Sequence, residues 1–457
     1  MTATRRIFLT ASILATLGAA AAPARAARPL ATSSASVTLT IATVNNPDMI
    51  EMEKLTPVFE KQFGINVKYD TLDENTLRQK VTADVATGGG EFDLATEGTY
   101  EIPMWAKNGW VTDLQPYFTK MSPAAASAYN VNDLLPKVRA GLSYKNDLYG
   151  IPFYGESSMT YYNKAMFKAA GLTMPQHPTW DQVAAFAKKL NNPSKNVYGI
   201  CLRADPGWGE MGAVLTTVIN TFGGSWFNMK WQPQLTSPAD EAAVSFYINL
   251  IRSAGEPGAT SSGFTECETA FAQGKTAMWV DATVAAGDLT NPSVSKVAKD
   301  VGFAFAPTKV TPKGSHWLWS WALAMESASK HKDAAFSFLT WATSKDYIAL
   351  VAKDKGWESV PPGTRVSTYS NPNYQKAAPF ANLVLQSIQT ADPNNATLNK
   401  VPYTGVQFVG IPQFQSIGTQ VTQNLDAAVT GGTSVSAALQ LSQTQVTHIM
   451  TIAGYIK

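Results

Sequence analysis

Residues 37–96 alternate between strand-like and helix-like patterns of apolar residues, and this alternation restricts the possible folds more than any other feature. Apolar residues recur at every second position in the strand-like segments and at every third or fourth position in the segments between them. The predicted strands are 37–41, 65–69 and 92–96. Strands that alternate with helices at such short intervals form a parallel sheet with right-handed crossovers. The sequence therefore predicts an α/β fold.

Ligands of such sheets bind in the loops that follow the carboxyl ends of the strands. In this chain those loops are 43–48, 71–75 and 97–101. The glycines at 88–90 follow a helix and precede a strand, which is the reverse of a phosphate-binding loop, so we interpret them as a turn. Later helices are predicted at 180–190, after a capping box that begins at Thr179, and at 239–253, 331–353 and 433–451.

The N-terminus predicts export from the cytoplasm. Arginines at 5–6 precede an apolar run at 7–22, and residues 24–26 fit an A-x-A cleavage site, so residues 1–26 are predicted to be a signal peptide. The paired arginines, followed by Phe and Leu, are compatible with twin-arginine export as well as with the Sec route. A membrane anchor fits less well, because the run is shorter than the roughly 20 residues needed to span a bilayer. Residues 27–35 are small and polar and predict a flexible leader.

Composition narrows the class of partner. The formal net charge of +2 does not favour nucleic acid or a membrane surface, which require a clustered basic excess. Aromatic residues make up 11% of the chain and include 12 tryptophans, a surplus that is typical of a site for a carbon-rich, hydroxylated ligand. No cysteine lies near the cleavage site, so lipid attachment has no acceptor and we expect a free periplasmic protein.

The two cysteines, Cys201 and Cys267, leave their pairing open. An oxidising compartment permits a disulfide, but a chain of this length does not need a cross-link to hold its core. Two separate buried thiols are therefore the interpretation that we favour from the sequence.

A secreted glycosidase or lyase is the enzymatic alternative. Its carboxylates would have to face each other across a cleft, and spacing alone pairs none of the candidates, which are Glu74, Glu97, Glu101, Glu156, Glu210 and Asp281. The sequence has no serine nucleophile elbow, and its four histidines are scattered singly without metal-ligand spacing. We therefore expect no enzymatic activity, no metal and no cofactor.

Four stretches of the sequence are distinctive, and they are YYNKAMFKAAGL at 161–172, PTWDQVAAFAKKL at 178–190, FAQGKTAMWVDAT at 271–283 and APTKVTPKGSHWLWSWALAM at 306–325. Together they resemble the maltodextrin-type extracellular solute-binding proteins of ABC importers. Further stretches, including TIATVNNPDM, YGIPFYGESSMTYYNK, PPGTRVSTYS and VPYTGVQ, resemble the sorbitol- and mannitol-binding branch of that family. The matches follow one another in order across nearly the whole chain after residue 36.

The resemblance implies a two-lobe periplasmic binding protein fold with a ligand cleft between lobes that are joined by hinge crossings. We predict that residues 36–150 and 306–325 form the N-terminal lobe and that 151–305 and 326–457 form the C-terminal lobe. The implied ligand is a sugar alcohol, and the implied partners are membrane permease subunits with a cytoplasmic ATPase. A mono- or oligosaccharide ligand and a chemoreceptor partner are the alternatives, and we expect a monomer.

A sugar alcohol is uncharged and carries a hydroxyl on every carbon, so its site needs forked donors and acceptors together with apolar faces. The predicted polar residues are Asn45, Asn46, Glu74, Glu101, Glu156, Asp281 and Arg365. Of these, Arg365 follows a rigid proline turn that is expected to present it to the cleft. The predicted aromatic residues lie in loops or beside Gly and Pro, and they are Tyr154, Trp208, Trp226, Trp317, Trp319 and Tyr403. Trp321 alternates with Trp317 and Trp319 along a strand and is predicted to pack in the core.

Overall fold

The structure, a computed structural model, describes residues 36–457. The predicted signal peptide and flexible leader lie outside the described residues. Within the described range the strands, in chain order, are β1 Thr38–Val44, β2 Asn66–Leu72, β3 Leu94–Gly98, β4 Ser143–Tyr144, β5 Asp147–Leu148, β6 Gly150–Glu156, β7 Ser158–Asn163, β8 Met278–Ala282, β9 Val301–Phe305 and β10 Trp319–Met325.

The α-helices of the same range account for most of the remaining chain. They are α1 Pro47–Phe63, α2 Glu74–Thr87, α3 Glu101–Asn108, α4 Gln115–Lys120, α5 Pro123–Tyr129, α6 Pro136–Gly141, α7 Lys164–Ala169, α8 Trp180–Leu190, α9 Met211–Thr221, α10 Pro238–Ala254, α11 Phe264–Ala272, α12 Ala286–Thr290, α13 Lys332–Ala342, α14 Lys345–Lys355, α15 Val366–Tyr369, α16 Pro372–Ala377, α17 Ala381–Thr390, α18 Phe414–Val429 and α19 Val435–Ile452.

The larger sheet has the strand order β2-β1-β3-β10-β6. Strands β1, β2 and β3 correspond to the three predicted strands and pair in parallel, which confirms the predicted α/β arrangement. Strand β10 returns from far along the chain and runs antiparallel to both β3 and β6. Helices α1, α2, α3 and α13 pack on this sheet, so its apolar residues are covered.

The smaller sheet has the order β8-β7-β9, and both of its pairs are antiparallel. Helix α11 packs on β8, and helix α17 packs on β9. Strand β6 of the larger sheet ends at Glu156 and β7 begins at Ser158, so a single residue, Ser157, connects the two sheets. A short connection of this kind places the end of β6 between the two sheets.

The predicted lobe boundaries stay a prediction, because residues Val37–Lys457 form one compact unit. The sheets nevertheless differ from those boundaries in two places. Strand β6 was assigned to the C-terminal lobe but lies in the larger sheet beside β10. Helix α13 was assigned to the same lobe but packs on β10 and α1 of the larger sheet.

The predicted helix 331–353 is in fact two helices, α13 and α14. The first helix ends at Ala342, and Ser344 caps the second, because its side chain accepts a hydrogen bond from the backbone N–H of Tyr347 at 2.9 Å. By contrast, the predicted capping box at Thr179 and Gln182 is present and starts α8. Within residues 36–457, no helix is long and apolar enough to span a membrane.

Cys201 and Cys267 are joined by a disulfide whose Cα atoms lie 5.5 Å apart. The preference for two separate thiols was therefore wrong. Cys201 lies beside Trp279 of β8 in a short parallel bridge, and Cys267 lies on α11. The two elements are already held together by packing on β8, and this proximity brings the two sulfur atoms within bonding distance.

Candidate functional site

A cavity of about 270 Å³ lies beyond the carboxyl ends of β1 and β2 and beside the end of β6. This is at the lower end of the roughly 300–1,000 Å³ that is typical of small-molecule sites. One wall comes from the larger sheet, and the facing wall comes from the loop 203–210 and the start of α11. The charged and amide residues of the walls are Asn45, Asn46, Asp73, Glu74, Asn75, Glu156, Arg203, Asp205, Glu210 and Glu266.

Asn46 is held in place by two hydrogen bonds. Its Oδ1 accepts from the backbone N–H of Met49 at 3.2 Å and thereby caps α1. Its Nδ2 donates to the hydroxyl of Tyr154 at 2.7 Å, and both residues line the cavity. The neighbouring residue Asn45 also lines the cavity, and its side chain is exposed. The predicted loop at 43–48 therefore supplies one rigid and one free amide.

Glu156, the last residue of β6, is buried against the cavity with 5% of its surface exposed. Within residues 36–457 its carboxyl group makes no hydrogen bond and no ion pair. Burial raises the pKa of Glu156 well above its ordinary value, and the positive charge of Arg203 acts in the opposite direction. A buried carboxyl group without a protein partner costs free energy unless a ligand or water satisfies it.

Arg203 is fixed by a bidentate ion pair with Asp281. Its Nε lies 2.9 Å from Asp281 Oδ2, its Nη2 lies 2.6 Å from Oδ1, and its Nη1 donates to the carbonyl of Gly209 at 2.9 Å. The same Nη1 lies 3.3 Å from Glu210 Oε2. Burial, together with the negative charge of Glu74, raises the pKa of Glu210 to about 8.

Asp281 does not line the cavity, contrary to the prediction for the polar clamp. It is completely buried, and besides Arg203 it accepts from Trp279 Nε1 at 3.0 Å and from the backbone N–H of Ala282 at 2.6 Å. Its oxygen atoms are thus occupied by protein donors. The structure gives Asp281 the role of orienting Arg203, which faces the cavity.

Arg78 forms a second buried charge cluster behind the cavity. It is bonded to Glu74 one helical turn earlier, and its Nε lies 3.3 Å from Oε1 of Glu101. Glu101 is therefore a partner of Arg78, and it does not line the cavity, contrary to the prediction. Nearby Glu97 is completely buried, and burial together with the charge of Glu101 raises its pKa well above the ordinary value.

The predicted tryptophans Trp208, Trp317 and Trp319 meet in a small annex that shares Glu74, Glu156, Arg203 and Trp321 with the main cavity. The guanidinium carbon of Arg78 lies 4.3 Å from the ring centre of Trp208 and 5.0 Å from that of Trp321. Trp321 is buried in the hydrophobic core, as predicted, and it also lines both the cavity and the annex. The three tryptophans of the alternating stripe therefore do share one side.

Three predicted site residues lie elsewhere. Trp226 and Tyr403 are buried against each other, with the backbone N–H of Trp226 donating to the Tyr403 hydroxyl at 3.2 Å. Arg365 is completely buried, and it donates to the carbonyls of Thr343 and Tyr129 at 2.9 Å each. Thr343 lies in the break between α13 and α14, where its carbonyl oxygen can accept these bonds. The proline turn therefore directs Arg365 into the protein, and the prediction that it reaches the cleft was wrong.

Residues that were not predicted to bind ligand include Arg203, Asp205, Glu210 and Phe264, all of which line the cavity. The segment CLRADPGWGE at 201–210 offered a signal, because it interleaves charged residues with Gly and Pro. Only Trp208 was selected from it as a ligand-binding residue. Phe264 follows Gly263 at the start of α11, in a stretch without any distinctive spacing.

Residues 46–349 match the family model described as bacterial extracellular solute-binding protein. The chain therefore belongs to this family, and the two-lobe fold predicted from the resemblance is confirmed. A curated relative, the mannitol-binding protein of Pseudomonas aeruginosa, is 51% identical over 421 residues, which cover 92% of this chain and 94% of the relative.

Two solved structures are also similar. An ABC transporter solute-binding protein from Agrobacterium vitis S4 with bound D-mannitol has a TM-score of 0.90 and 52% identity, covering 92% of this chain and 100% of that one. A second, from Agrobacterium radiobacter K84 in complex with ribitol, has a TM-score of 0.79 and 26% identity, covering 90% of this chain and 98% of that one.

Proposed function

We propose that this protein is the periplasmic binding component of an ABC importer for a sugar alcohol, with a hexitol such as mannitol as its ligand. The observation that carries this proposal is the small cavity in which the unpaired carboxyl group of Glu156 faces the oriented guanidinium of Arg203. Such forked groups can accept from and donate to neighbouring hydroxyls of a linear polyol. The relatives that bind mannitol or ribitol support this choice of ligand.

Closure of the two walls on the ligand is the mechanism that fits this arrangement. Glu74, Tyr154 and Glu156 belong to the wall of the larger sheet, and Arg203 and Phe264 belong to the facing wall. A ligand that contacts both walls stabilises the closed arrangement by its extra contacts there. Ser157, the connection between β6 and β7, lies directly beside Glu156 and is the natural position for a hinge.

Delivery requires partners that this chain does not supply. We propose that the closed form docks on membrane permease subunits driven by a cytoplasmic ATPase, and that the chain is exported to the periplasm by its predicted signal peptide at 1–26. The ligand is released chemically unchanged, which distinguishes this role from that of a glycosidase or lyase. Prolonged incubation with glycans should therefore yield no product.

Thermal unfolding in the presence of hexitols, pentitols, monosaccharides and disaccharides tests the ligand class. A ligand at 100 times its Kd stabilises the native state by about 2.7 kcal/mol, so a true ligand raises the unfolding midpoint measurably. We expect the largest increase with a hexitol. A panel in which only a disaccharide stabilises the protein would contradict the polyol proposal while leaving the binding role intact.

Titration calorimetry on Glu156→Leu tests the site itself. Loss of the carboxyl group should weaken hexitol binding about tenfold, because a ligand hydroxyl that is buried without its partner costs about 1–3 kcal/mol. Glu326→Leu is a matched control, since Glu326 is also buried and burial raises its pKa to about 9, but it does not line the cavity. Equal affinities in the two variants would remove Glu156 from the site.

A further inference from the structure

The annex beside the main cavity has room for one small group. Its volume is about 30 Å³, and a polar cavity needs roughly 10–15 Å³ to hold one water molecule. Arg78 and Trp319 come from the side of the larger sheet, whereas Trp208 and Ala213 come from the loop 203–210 and α9. An occupant of the annex therefore contacts elements from both walls of the cavity.

Besides the carboxyl group of Glu156, three fully buried polar atoms of the annex residues have no partner among residues 36–457. They are the indole Nε1 atoms of Trp208 and Trp317 and the side-chain Oε1 of Gln407. All three residues are at least nine-tenths buried, with exposed fractions of 2%, 2% and 3%. The amide nitrogen of Gln407 donates to the carbonyl of Leu318 at 3.1 Å, which fixes its orientation. Buried donors and acceptors of this kind almost always have a partner, and a molecule bound in the annex can supply one.

Both arginines of the annex already have a carboxylate partner, and burial favours the neutral form of the Glu156 carboxyl group. Arg78 is paired with Glu74 and Glu101, and Arg203 is paired with Asp281 and Glu210. A charged occupant would therefore be buried without a counter-charge, at a large cost in free energy. The two indole donors need an acceptor, and the amide oxygen needs a donor. A hydroxyl group is neutral and provides both functions.

We propose that the annex is a hydroxyl-binding subsite. When the ligand is bound, one O–H group occupies the annex and forms hydrogen bonds with Trp208, Trp317 and Gln407. This inference rests on the proposed function, because it assigns one part of the polyol site. The oxygen has two sources, the terminal hydroxyl of the polyol or an ordered water molecule that touches the polyol. In both cases the annex contributes to affinity, because its occupant bridges the two walls.

Titration calorimetry with a tetritol, a pentitol and a hexitol on Trp317→Phe and Gln407→Leu tests the subsite. Phenylalanine retains the ring but lacks the N–H, and leucine retains the volume but lacks the acceptor. Each variant should bind the hexitol about five- to tenfold more weakly, which is the effect of one lost hydrogen bond. A loss confined to the longest ligand identifies the terminal hydroxyl as the occupant, and an equal loss for all three identifies water.

Trp180→Phe is the matched control, because the Nε1 of Trp180 is also buried without a partner but lies outside the annex. It should bind each polyol like the unaltered protein, and unfolding midpoints without ligand show whether each variant is folded. If both annex variants bound the hexitol as tightly as Trp180→Phe does, the subsite would be overturned and the proposed function would remain. An unaltered protein that binds no polyol would overturn both this inference and the proposed function.

Discussion

At the scale of single residues, close packing around two buried arginines determines the shape of the cavity. A Cβ on Gly209 would lie 2.2 Å from Arg78 Nη1 and 2.5 Å from Glu74 Oε1, so only glycine permits this pair to sit beside the loop. Gly98 has the same role for Trp319, whose ring would lie 1.9 Å from an added Cβ. These glycines allow aromatic rings and guanidinium groups to stack at the base of the site.

Residue types alone indicated the chemistry of the site but not its pairings. Glu74, Glu156, Asn46 and Tyr154 were selected as candidates, and all four line the cavity. Arg365 was selected because of its turn, whereas Arg203 was missed. What distinguishes these two arginines is which carbonyls and carboxylates surround them, and Asp281 lies 78 positions from Arg203 in the sequence. No local pattern reports a contact over that separation.

Asp281→Ala should reduce both affinity and stability. Removing the carboxylate leaves the buried charge of Arg203 without its main partner, and breaking a buried ion pair in this way typically costs about 3–5 kcal/mol. The free energy of unfolding in urea should fall by that amount, and hexitol binding should weaken because Arg203 loses its orientation.

Asp181→Ala is the control for this change, because Asp181 forms an exposed pair with Lys309 on the surface. Exposed pairs contribute about 0–1 kcal/mol, so the control should unfold almost like the unaltered protein. If Asp281→Ala weakened binding without any loss of stability, Asp281 would have to contact the ligand directly.

At the scale of elements, the sequence predicted where strands and helices occur better than where they end. The strands β1, β2 and β3 extend two or three residues beyond their predicted carboxyl ends, because their last residues still pair with neighbours in the sheet. Capping patterns such as Thr179 with Gln182 were read correctly, since their hydrogen bonds are local. The disulfide joins a loop at the cavity wall to α11, and that proximity depends on packing against β8.

Replacing both cysteines by serine should lower stability and loosen one wall of the cavity. The bond joins positions 66 residues apart, and the chain-entropy model assigns about 4 kcal/mol to a loop of that length, with measured values of about 2–4 kcal/mol. Urea unfolding of Cys201→Ser combined with Cys267→Ser should therefore show a loss in this range. The unaltered protein in excess reductant should show the same loss of unfolding free energy. A loss below about 0.5 kcal/mol in both experiments would show that packing alone holds the loop of Cys201 against α11.

At the scale of the whole molecule, buried carboxyl groups couple the site to pH. Burial raises the pKa of Glu210 to about 8, and it raises the pKa of Glu156 and Glu97 well above the ordinary value. Glu156 and Glu210 line the cavity, where elements distant in the sequence exclude water together, and Glu97 is completely buried within β3. The two-lobe architecture could be predicted from the sequence through family resemblance, but the burial of each carboxyl group depends on the packed arrangement of both walls.

Stability should fall as the pH rises from 6.5 to 8.5. In this range the folded protein keeps a proton on Glu210, whose pKa is about 8 compared with an ordinary value of 4.5, whereas the unfolded chain has already lost it. The unfolded state therefore binds fewer protons, and the free energy of unfolding decreases with pH until the folded group also ionises. The nearby charges also act on the pKa of Glu210, since Glu74 and Asp281 raise it whereas Arg203 and Arg78 lower it.

Urea unfolding of Glu210→Gln at several pH values tests this prediction. The free energy of unfolding should decrease less steeply with pH in this variant than in the control, Glu241→Gln on α10. A slope in Glu210→Gln equal to that of the control would show that Glu210 is already ionised in the folded protein at pH 6.5.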